Sequence, residues 1–348
     1  MRREQHFRME RDEAVAMLAA APFVHLAAAA PDGTPILKTV HGVIVDGAIC
    51  FHGAPAGEKM EAIGRPVVVS CEEVVAEVPS YFTDAERACP ATTLYRSVQV
   101  HGVLELVEDA AEKARALQAL MERFQPEGGH APIAHDHPLY RAAVRGILIA
   151  RVPLERLDGK SKLAQNRSPD EVRGLLEKLW ARGRGGDAAA IERLRAANPS
   201  APAPAFLVGP EGARLCCALQ QKDAPAAAAL LEGCYWNCGV ERARLERAQL
   251  GAAAWVGAHD GGGALIASAR AISDGARLAW IHDVVVAPAW RGRGLGRALL
   301  RLLLDHPSVR GARQVRLATR DAQGLYRKLG FVDYAAAAGE PQMILERG

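Results

Sequence analysis

Two different hydrophobic patterns divide the chain. In the first half, short apolar runs predict β-strands at 23–29, 36–45, 48–52, 66–78, 95–107 and 143–152. Apolar positions spaced by three and four predict helices at 11–21, 110–124, 168–182 and 187–197. Turn signals at 31–33 and 46–47 separate the first strands. Many short antiparallel strands with few helices favour a small β-barrel with flanking helices.

The second half alternates strands and helices. Strands are predicted at 213–219, 252–258, 264–271, 276–286, 314–318 and near 342–345, with helices from Asp223 and at 240–248, 294–304 and 321–329. This order predicts an α/β domain with helices on both faces of one sheet. The two halves share no internal repeat.

A segment rich in proline and alanine, AANPSAPAPAF at 196–206, separates the two patterns. Alternating prolines cannot continue a helix or donate to a β-ladder, so the segment is typical of a semi-rigid spacer. The sequence therefore predicts a domain over 1–197, a linker over 198–205 and a second domain over 206–348.

Composition excludes several classes of protein. The 348 residues are 49% hydrophobic and 24% charged, which is an ordinary globular balance, and a net charge of +3 is too small to indicate nucleic-acid binding. The longest run of low polarity, 14–31, is interrupted by Pro22 and His25 and fits neither a membrane span nor a secretory signal. The seven scattered cysteines include no CxxC pair, so we expect reduced thiols in a cytoplasmic protein without a metal site.

A glycine-rich loop between a strand and a helix carries the strongest chemical signal. The loop follows the strand that ends at Val286 and precedes the helix that starts near 294; its residues are Arg291, Gly292, Arg293, Gly294, Leu295 and Gly296. Such a loop lets backbone amides and the positive end of the helix dipole meet a phosphate group, and two arginines add charge. Neither the Walker A motif nor the dinucleotide GxGxxG fingerprint is present.

The loop resembles the RxxGxG pyrophosphate loop of the GNAT N-acetyltransferases, and 317–331, with Tyr326 before Gly330 and Phe331, is similar to the last strand and helix of that family. The resemblance covers about 206–348. It implies that the loop binds acetyl-CoA and that the main chain at Val284 and Val286 pairs with the pantetheine and the acetyl carbonyl.

The same resemblance implies the reacting groups. Tyr326 would protonate the departing CoA thiolate. Asp283 or His282 would be the base for the incoming amine; as neighbours on a strand they are expected to point to opposite faces, and a structural role remains open for each. Tyr235 and Trp236 would contact a small amine substrate, although a place in the core is equally open for this aromatic pair.

Three stretches of the first half, 32–38, 49–59 and 95–102, resemble the FMN-binding split barrels related to pyridoxamine 5′-phosphate oxidase, and 159–167 is similar to the subgroup of FMN-binding negative transcriptional regulators. The resemblance implies a homodimer with FMN at its interface. By position, the phosphate would meet Lys38, Lys59 and Gln99, whereas His52, Gly53 and Arg96 would lie along the strands that carry the cofactor.

Two functions from different classes follow. The first is a bifunctional enzyme, an acetyl-CoA-dependent N-acetyltransferase of a small amine fused to an FMN-dependent oxidoreductase. In the second, the barrel is a sensor or regulatory dimer that binds FMN without catalysis, and a cofactor-free dimerisation platform is a further alternative. No membrane partner is expected, and the absence of a helix-turn-helix signal argues against direct DNA binding.

Overall fold

The computed structural model describes residues 4–334 and 342–346. The chain forms two compact units. The first contains the chain up to Glu77 together with Thr93–Leu163, and the second contains Val78–Thr92 together with the chain from Ala164 onward. Each unit is an independent set of sheets and helices, as the two sequence patterns predict.

The first unit contains two antiparallel sheets rather than one closed barrel. The five-stranded sheet has the order β2-β1-β5-β6-β9 and the four-stranded sheet the order β3-β4-β8-β7. The strands are β1 (Val24–Ala29), β2 (Pro35–Val40), β3 (Val43–Val45), β4 (Ala48–Gly53), β5 (Pro66–Val78), β6 (Thr92–Val103), β7 (Glu105–Leu106), β8 (Leu148–Pro153) and β9 (Arg156–Lys162). The helices are α1 (Glu4–Phe7), α2 (Arg11–Ala20), α3 (Ala110–Phe124) and α4 (Arg141–Gly146).

One apolar core holds the two sheets together. Leu26, Val69 and Val98 of the five-stranded sheet pack with Phe51 and Val152 of the four-stranded sheet, and all are buried. Each such side chain contributes roughly 1.5–3 kcal/mol on leaving water. The alternation of buried and exposed residues along the long strands is the period that the sequence predicts.

Two predicted elements differ from the structure. The strand expected over 143–152 is helical up to Gly146 and extended only from Leu148, because the Ala- and Arg-rich residues before Gly146 favour a helix. Strand β9 is absent from the prediction: its sequence, RLDGKSK, lacks an apolar face, and it forms by pairing with β6, Tyr95 opposite Lys162.

The second unit has one seven-stranded sheet of order β10-β11-β12-β13-β14-β16-β15, with helices around it. The strands are β10 (Arg214–Cys216), β11 (Ala254–His259), β12 (Leu265–Ser273), β13 (Leu278–Val286), β14 (Gln314–Ala318), β15 (Val332–Tyr334) and β16 (Gln342–Glu346). The helices are α5 (Pro169–Arg182), α6 (Asp187–Ala197), α7 (Ala224–Leu230), α8 (Arg242–Leu250), α9 (Leu295–Asp305), α10 (Pro307–Arg310) and α11 (Gln323–Arg327). The predicted α/β arrangement is confirmed, with β15 as an additional strand.

Helices α5 and α6 lie in the second unit, ahead of the predicted linker. Trp180 of α5 donates a hydrogen bond from Nε1 to Asp305 at 2.6 Å and stacks on Phe206 with 4.7 Å between ring centroids. Glu192 of α6 accepts a hydrogen bond from the amide of Cys217 at 2.8 Å. The segment 198–205 therefore lies within the second unit, because the apolar faces of both helices pack there. The division into domains at 198–205 stays a prediction.

A buried histidine in this packing makes the second unit sensitive to acid. His306 is 5% exposed, lies edge-on to Trp180 with ring centroids 5.7 Å apart, and its Nδ1 accepts a hydrogen bond from the Ser308 amide at 3.1 Å. Burial lowers the pKa of His306 from 6.5 to about 4, and the nearby Arg310 charge acts in the same direction. The folded unit therefore holds this imidazole neutral.

We expect the free energy of unfolding of the second unit to fall as the pH decreases from about 6.5 to about 4. In this window the unfolded chain binds a proton at His306 and the folded unit does not, so the loss reaches about 3 kcal/mol. Urea denaturation followed by tryptophan fluorescence at several pH values measures it, since all five tryptophans lie in this unit. His306→Gln should flatten the pH dependence by about that amount; equal slopes in the two proteins would contradict the assignment.

Candidate functional site

Two neighbouring strands of the second unit separate at the centre of the sheet. Strands β13 and β14 pair in parallel, with Leu278 opposite Gln314 and Trp280 opposite Arg316. Within the described residues, Trp280 and Arg316 form the last register pair between these strands. The end of β13, which carries Val284 and Val286, therefore borders a gap between β13 and β14. The backbone groups of β13 that face away from β12 point into this gap.

The glycine loop lies directly after this end of β13. Gly292 and Gly294 have φ of 77° and 83°, values that side-chain-bearing residues rarely adopt, and Gly294 is the N-cap of α9 without a side-chain cap. The amides of the first turn of α9 are thus not satisfied by a capping side chain. A Cβ added at Gly296 would lie 3.6 Å from Val286 Cγ2, an ordinary van der Waals distance, so the start of α9 packs directly against the end of β13.

The two arginines of the loop have protein partners. Arg291 donates from Nε to the Val286 carbonyl at 3.0 Å. Arg293 forms an ion pair with Glu211 at 2.6 Å and lies over the Trp290 ring. Arg291 thereby ties the loop to the strand, and about half of the Arg293 side chain remains exposed beside the start of α9.

Asp283 lies at a β-bulge and is the centre of a hydrogen-bond network. Its φ is 53°, and the register between β12 and β13 shifts at this point. Its Oδ2 accepts from Arg270 at 2.5 Å and from Gln249 at 3.2 Å, and its Oδ1 accepts from Trp236 at 3.2 Å and from Asn237 at 3.5 Å. A carboxylate has about four lone-pair positions. With four donors bound, the Asp283 carboxylate is suited to hold the segment around Trp236 in place, and this argues against its predicted role as the base.

The bulge also changes the expected orientation of His282. Arg270 is the register partner of His282, and its side chain reaches Asp283, so the two neighbours are not separated by strict alternation. His282 stacks with Trp280 at 6.2 Å between centroids. Burial, with the Arg270 charge in the same direction, lowers the pKa of His282. The imidazole is therefore neutral at physiological pH and can accept a proton.

Tyr326 on α11 is 6% exposed and lies edge-on to Phe331. Burial raises its pKa to about 12, and the neighbouring Tyr235 and Asp321 act in the same direction. The Tyr235 hydroxyl accepts a hydrogen bond from the Arg320 amide at 3.1 Å, and the Arg320 guanidinium lies 3.6 Å from the centre of the Tyr235 ring. The structure thus brings Tyr235, Trp236, Asp283 and Tyr326 into one region of the second unit.

In the first unit, four of the predicted flavin residues lie close together. Lys38 of β2 forms an ion pair with Glu58 at 2.5 Å, and this lysine lowers the pKa of the Glu58 carboxyl. Lys59 donates to the Ala56 carbonyl at 2.8 Å, and its Cε would lie 3.0 Å from a Cβ added at Gly53. His52 precedes Gly53 on β4 and is exposed.

Arg96 and Gln99 lie elsewhere. Arg96 of β6 binds Glu13 at 2.7 Å and Glu73 at 3.4 Å, and Gln99 is exposed on the same strand. Strands β2 and β6 are separated by β1 and β5, which places Lys38 about 14 Å from the axis of β6. Lys38 and Lys59 therefore lie near Glu58 at one edge of the sheet, whereas Arg96 pairs with carboxylates of α2 and β5.

A cavity of about 730 Å³ in the first unit does not contain these residues. It is lined by parts of β1, β5 and β6 and by the turn around Glu155. Alanine, valine and proline form most of its lining, and its charged side chains include both Glu155 and Arg156. The lysine cluster, Lys38 and Lys59, instead supplies two cations that suit a phosphate. Among residues 4–334 and 342–346, no three histidine, cysteine or acidic side chains are arranged to hold a metal ion.

Two family models match the chain. The pyridoxamine 5′-phosphate oxidase model covers residues 10–161, and the acetyltransferase (GNAT) domain model covers residues 251–333. The chain joins an oxidase-like domain to a GNAT domain. The oxidase-like domain contains the lysine cluster, and the GNAT domain contains the strand gap, the glycine loop and Tyr326.

Curated relatives match a short part of the chain. Glucosamine 6-phosphate N-acetyltransferase 1 from Oryza sativa subsp. japonica is 39% identical over 72 residues, which are 20% of this chain and 44% of the relative. The chloroplastic GCN5-related N-acetyltransferase 1 from Arabidopsis thaliana is 41% identical over 68 residues, 19% of this chain and 34% of that protein. The chain thus spans less than half the length of these relatives.

Solved structures resemble each part of the chain. A GNAT-family acetyltransferase structure from Xanthomonas campestris pv. campestris is 30% identical, covering 38% of this chain and 96% of that chain, with a TM-score of 0.34. A 5-nitroimidazole antibiotic resistance protein structure from Bacteroides thetaiotaomicron is 18% identical, covering 44% of this chain and 85% of that chain, with a TM-score of 0.36. None of the described helices has the length and apolarity that crossing a membrane needs.

The network around Asp283 is the part of the site that sequence reasoning missed. Its donors come from β12, from α8 and from the segment 235–237. No spacing in the sequence connects these positions. The one local signal was the aromatic pair Tyr235 and Trp236, which indicated this region but not the hydrogen bond between Trp236 and Asp283.

Proposed function

We propose that the GNAT domain transfers the acetyl group of acetyl-CoA to a small amine. The observation that carries this proposal is the gap between β13 and β14, which opens beside the uncapped first turn of α9. The amides of that turn and the helix dipole suit a pyrophosphate. The exposed backbone edge at Val284 and Val286 suits the pantetheine and directs an amide at the carbonyl on which negative charge develops.

The proton transfers are assigned to two side chains. His282, neutral at physiological pH, accepts the proton of the amine as its nitrogen attacks the thioester carbon. Tyr326 donates its hydroxyl proton to the sulfur as the carbon–sulfur bond breaks. Asp283 is a positioning residue, because it fixes Trp236 and Asn237 beside the bulge. Tyr235 and Trp236 contact the acceptor.

A thiol-release assay with acetyl-CoA and a panel of primary amines tests the transferase. The relatives' names include transferases of glucosamine 6-phosphate and of serotonin, so sugar amines and aromatic amines belong in the panel. We expect amine-dependent release of CoA and binding of acetyl-CoA by calorimetry. Failure of acetyl-CoA to bind at all would reject the proposal.

For the oxidase-like domain we propose binding of FMN, with its phosphate between Lys38 and Lys59 and its ring beside His52 and Gly53. Bound FMN would supply electron or hydride transfer to a small molecule. The nearness of Lys59 to Gly53 supports this site. A homodimer through this domain is part of the proposal. So is a cytoplasmic location, which the seven free thiols favour.

An absorption spectrum between about 300 and about 550 nm, with and without NAD(P)H under anaerobic conditions, separates the two flavin functions. Flavin bands that bleach and return with air support an oxidoreductase. Flavin bands that persist favour the alternative, a sensor domain beside the transferase. Absence of protein-bound flavin after incubation with FMN and removal of the unbound flavin would exclude both and leave a cofactor-free dimerisation domain.

We expect Lys59→Ala to weaken FMN binding roughly 10- to 100-fold, since a charge-assisted hydrogen bond to the phosphate is lost. Quenching of flavin fluorescence on titration measures the dissociation constant. Arg145→Ala, which removes an exposed cation of α4, is the matched control and should leave it unchanged. An equal effect of both substitutions, or none from Lys59→Ala, would contradict the phosphate site.

A further inference from the structure

A row of side chains crosses one face of the second sheet, beside the gap. Ile272, Trp280, Arg316, Ile344 and Val332 are successive register partners on β12, β13, β14, β16 and β15. Register partners point to the same face of a sheet. Ile272 is 57% exposed and Val332 is 60% exposed, so this part of the face is open at both ends of the row.

Arg316 is the charged member of the row. Its Nη2 donates to Gln314 at 2.8 Å, and its Cζ lies 4.9 Å from the centre of the Tyr334 ring. Its Nε is buried and has no hydrogen-bond partner within residues 4–334 and 342–346. Among the described residues no carboxylate lies within ion-pair distance of it. Neighbouring arginines of the unit differ, since Arg270 pairs with Asp283 and Arg327 with Asp333.

An under-coordinated guanidinium held in a fixed position costs free energy unless a ligand satisfies it. Tyr334 fixes its plane from one side, and Trp280, its register partner, provides an aromatic neighbour. Arg316 and Trp280 are also the last pair before the strands separate. The cation therefore stands at the edge of the place where the acetyl group and the amine would meet.

We propose that Arg316 binds an anionic group, a carboxylate or a phosphate, of the acetyl acceptor. This inference rests on the proposed transferase function and narrows its substrate class. Arg316 lies opposite Trp280 on the neighbouring strand, and His282 lies two residues along β13, so the amine and the anion would be about 8 Å apart. The acceptor is then an amine whose anionic group is several bonds away, such as an ω-amino acid or a phosphorylated amino sugar.

Two matched pairs of acceptors test the proposal with the full chain: hexylamine against 6-aminohexanoate, and glucosamine against glucosamine 6-phosphate. The first pair probes a carboxylate and the second a phosphate. We expect the anionic member of at least one pair to have a kcat/KM roughly 10- to 100-fold higher, the range for a charge-assisted hydrogen bond. Thiol release at saturating acetyl-CoA measures kcat and KM for each amine.

Arg316→Gln should remove this preference through KM of the anionic acceptor, with KM of acetyl-CoA and the rate with the neutral amine unchanged. Arg316→Lys should keep part of it, because the charge remains but the planar fork is lost. Arg313→Gln is the control, since Arg313 is exposed just before β14. Thermal unfolding followed by tryptophan fluorescence checks that each variant is folded.

A preference for the neutral member in both pairs would overturn the proposal, as would an equal loss for neutral and anionic acceptors in Arg316→Gln. Binding of acetyl-CoA without thiol release from any of the four amines overturns the anionic acceptor class while the cofactor site stands. Failure to bind acetyl-CoA rejects the proposed transferase itself, so the two failures are distinguishable.

Discussion

Replacing Gly294 by glutamate is expected to abolish acetyl-CoA binding. The residue caps the first turn of α9, where a pyrophosphate would meet free amides, and a Cβ there would touch no atom within 4 Å, so the new side chain has room to enter the phosphate site. Two unit charges about 4 Å apart repel by about 4 kcal/mol at an effective dielectric constant of 20. That corresponds to a dissociation constant roughly 10³-fold higher.

Backbone strain must be separated from charge in this experiment. Gly294 has φ of 83°, where any side chain is disfavoured, and asparagine tolerates such conformations better than most residues. Gly294→Asn is therefore the neutral control and should weaken binding far less than Gly294→Glu. Calorimetric titration with acetyl-CoA measures both. Unchanged affinity in Gly294→Glu would show that the pyrophosphate binds elsewhere, and equal losses would point to strain alone.

The parts of the site that the sequence predicted are local. The glycine loop, the helix after it and Tyr326 each occupy a few consecutive residues, and their geometry depends mainly on backbone conformation and hydrophobic period. The same holds for the strands of both units, whose alternation is visible without knowing their partners. Strand β9 and helix α4 escaped because neither has a clear apolar face: pairing with β6 decides the strand, and the helix propensity of alanine and arginine decides the helix.

The parts that escaped prediction depend on long-range contacts. The sequence left both a catalytic and a structural role open for Asp283, whereas the structure shows a bulge and donors from three other segments that engage its carboxylate. The sequence analysis did not single out Arg316, because the lack of an ion-pair partner among the described residues is visible only when its neighbours are known. In the first half, the resemblance assigned both Lys38 and Arg96 to the FMN site, although two strands separate them in the sheet. Spacing along a chain does not reveal which strands become neighbours.

The network around Asp283 connects the two sides of the proposed reaction centre. On one side, Asp283 binds Trp236, which lies edge-on to Tyr235, the pair proposed to contact the acceptor. On the other side it binds Arg270, the register partner of His282. One carboxylate therefore fixes both the aromatic pair and the guanidinium of Arg270, which acts in the same direction as burial to lower the pKa of His282. The left-handed backbone conformation of Asp283 fits such a site, since a strained residue persists only where surrounding contacts compensate for the cost of the strain.

Tyr326→Phe is expected to lower kcat roughly 10²-fold, the usual range for loss of a general acid, with the affinity for acetyl-CoA retained. Phenylalanine keeps the ring that packs edge-on to Phe331, so the fold should be unchanged. Steady-state thiol release gives kcat, and calorimetry gives the dissociation constant of acetyl-CoA. An unchanged kcat would remove Tyr326 from the proton transfer, and a parallel loss of affinity would indicate a binding role instead.

The pH dependence sharpens this test. Because burial raises the pKa of Tyr326 to about 12, the hydroxyl stays protonated throughout the range in which the protein can be assayed, and kcat should not fall between neutral pH and about 10. Tyr326→Phe should therefore lower kcat by a similar factor at each pH. A deficit that disappeared at one end of the range would mean that solvent, rather than Tyr326, delivers the proton.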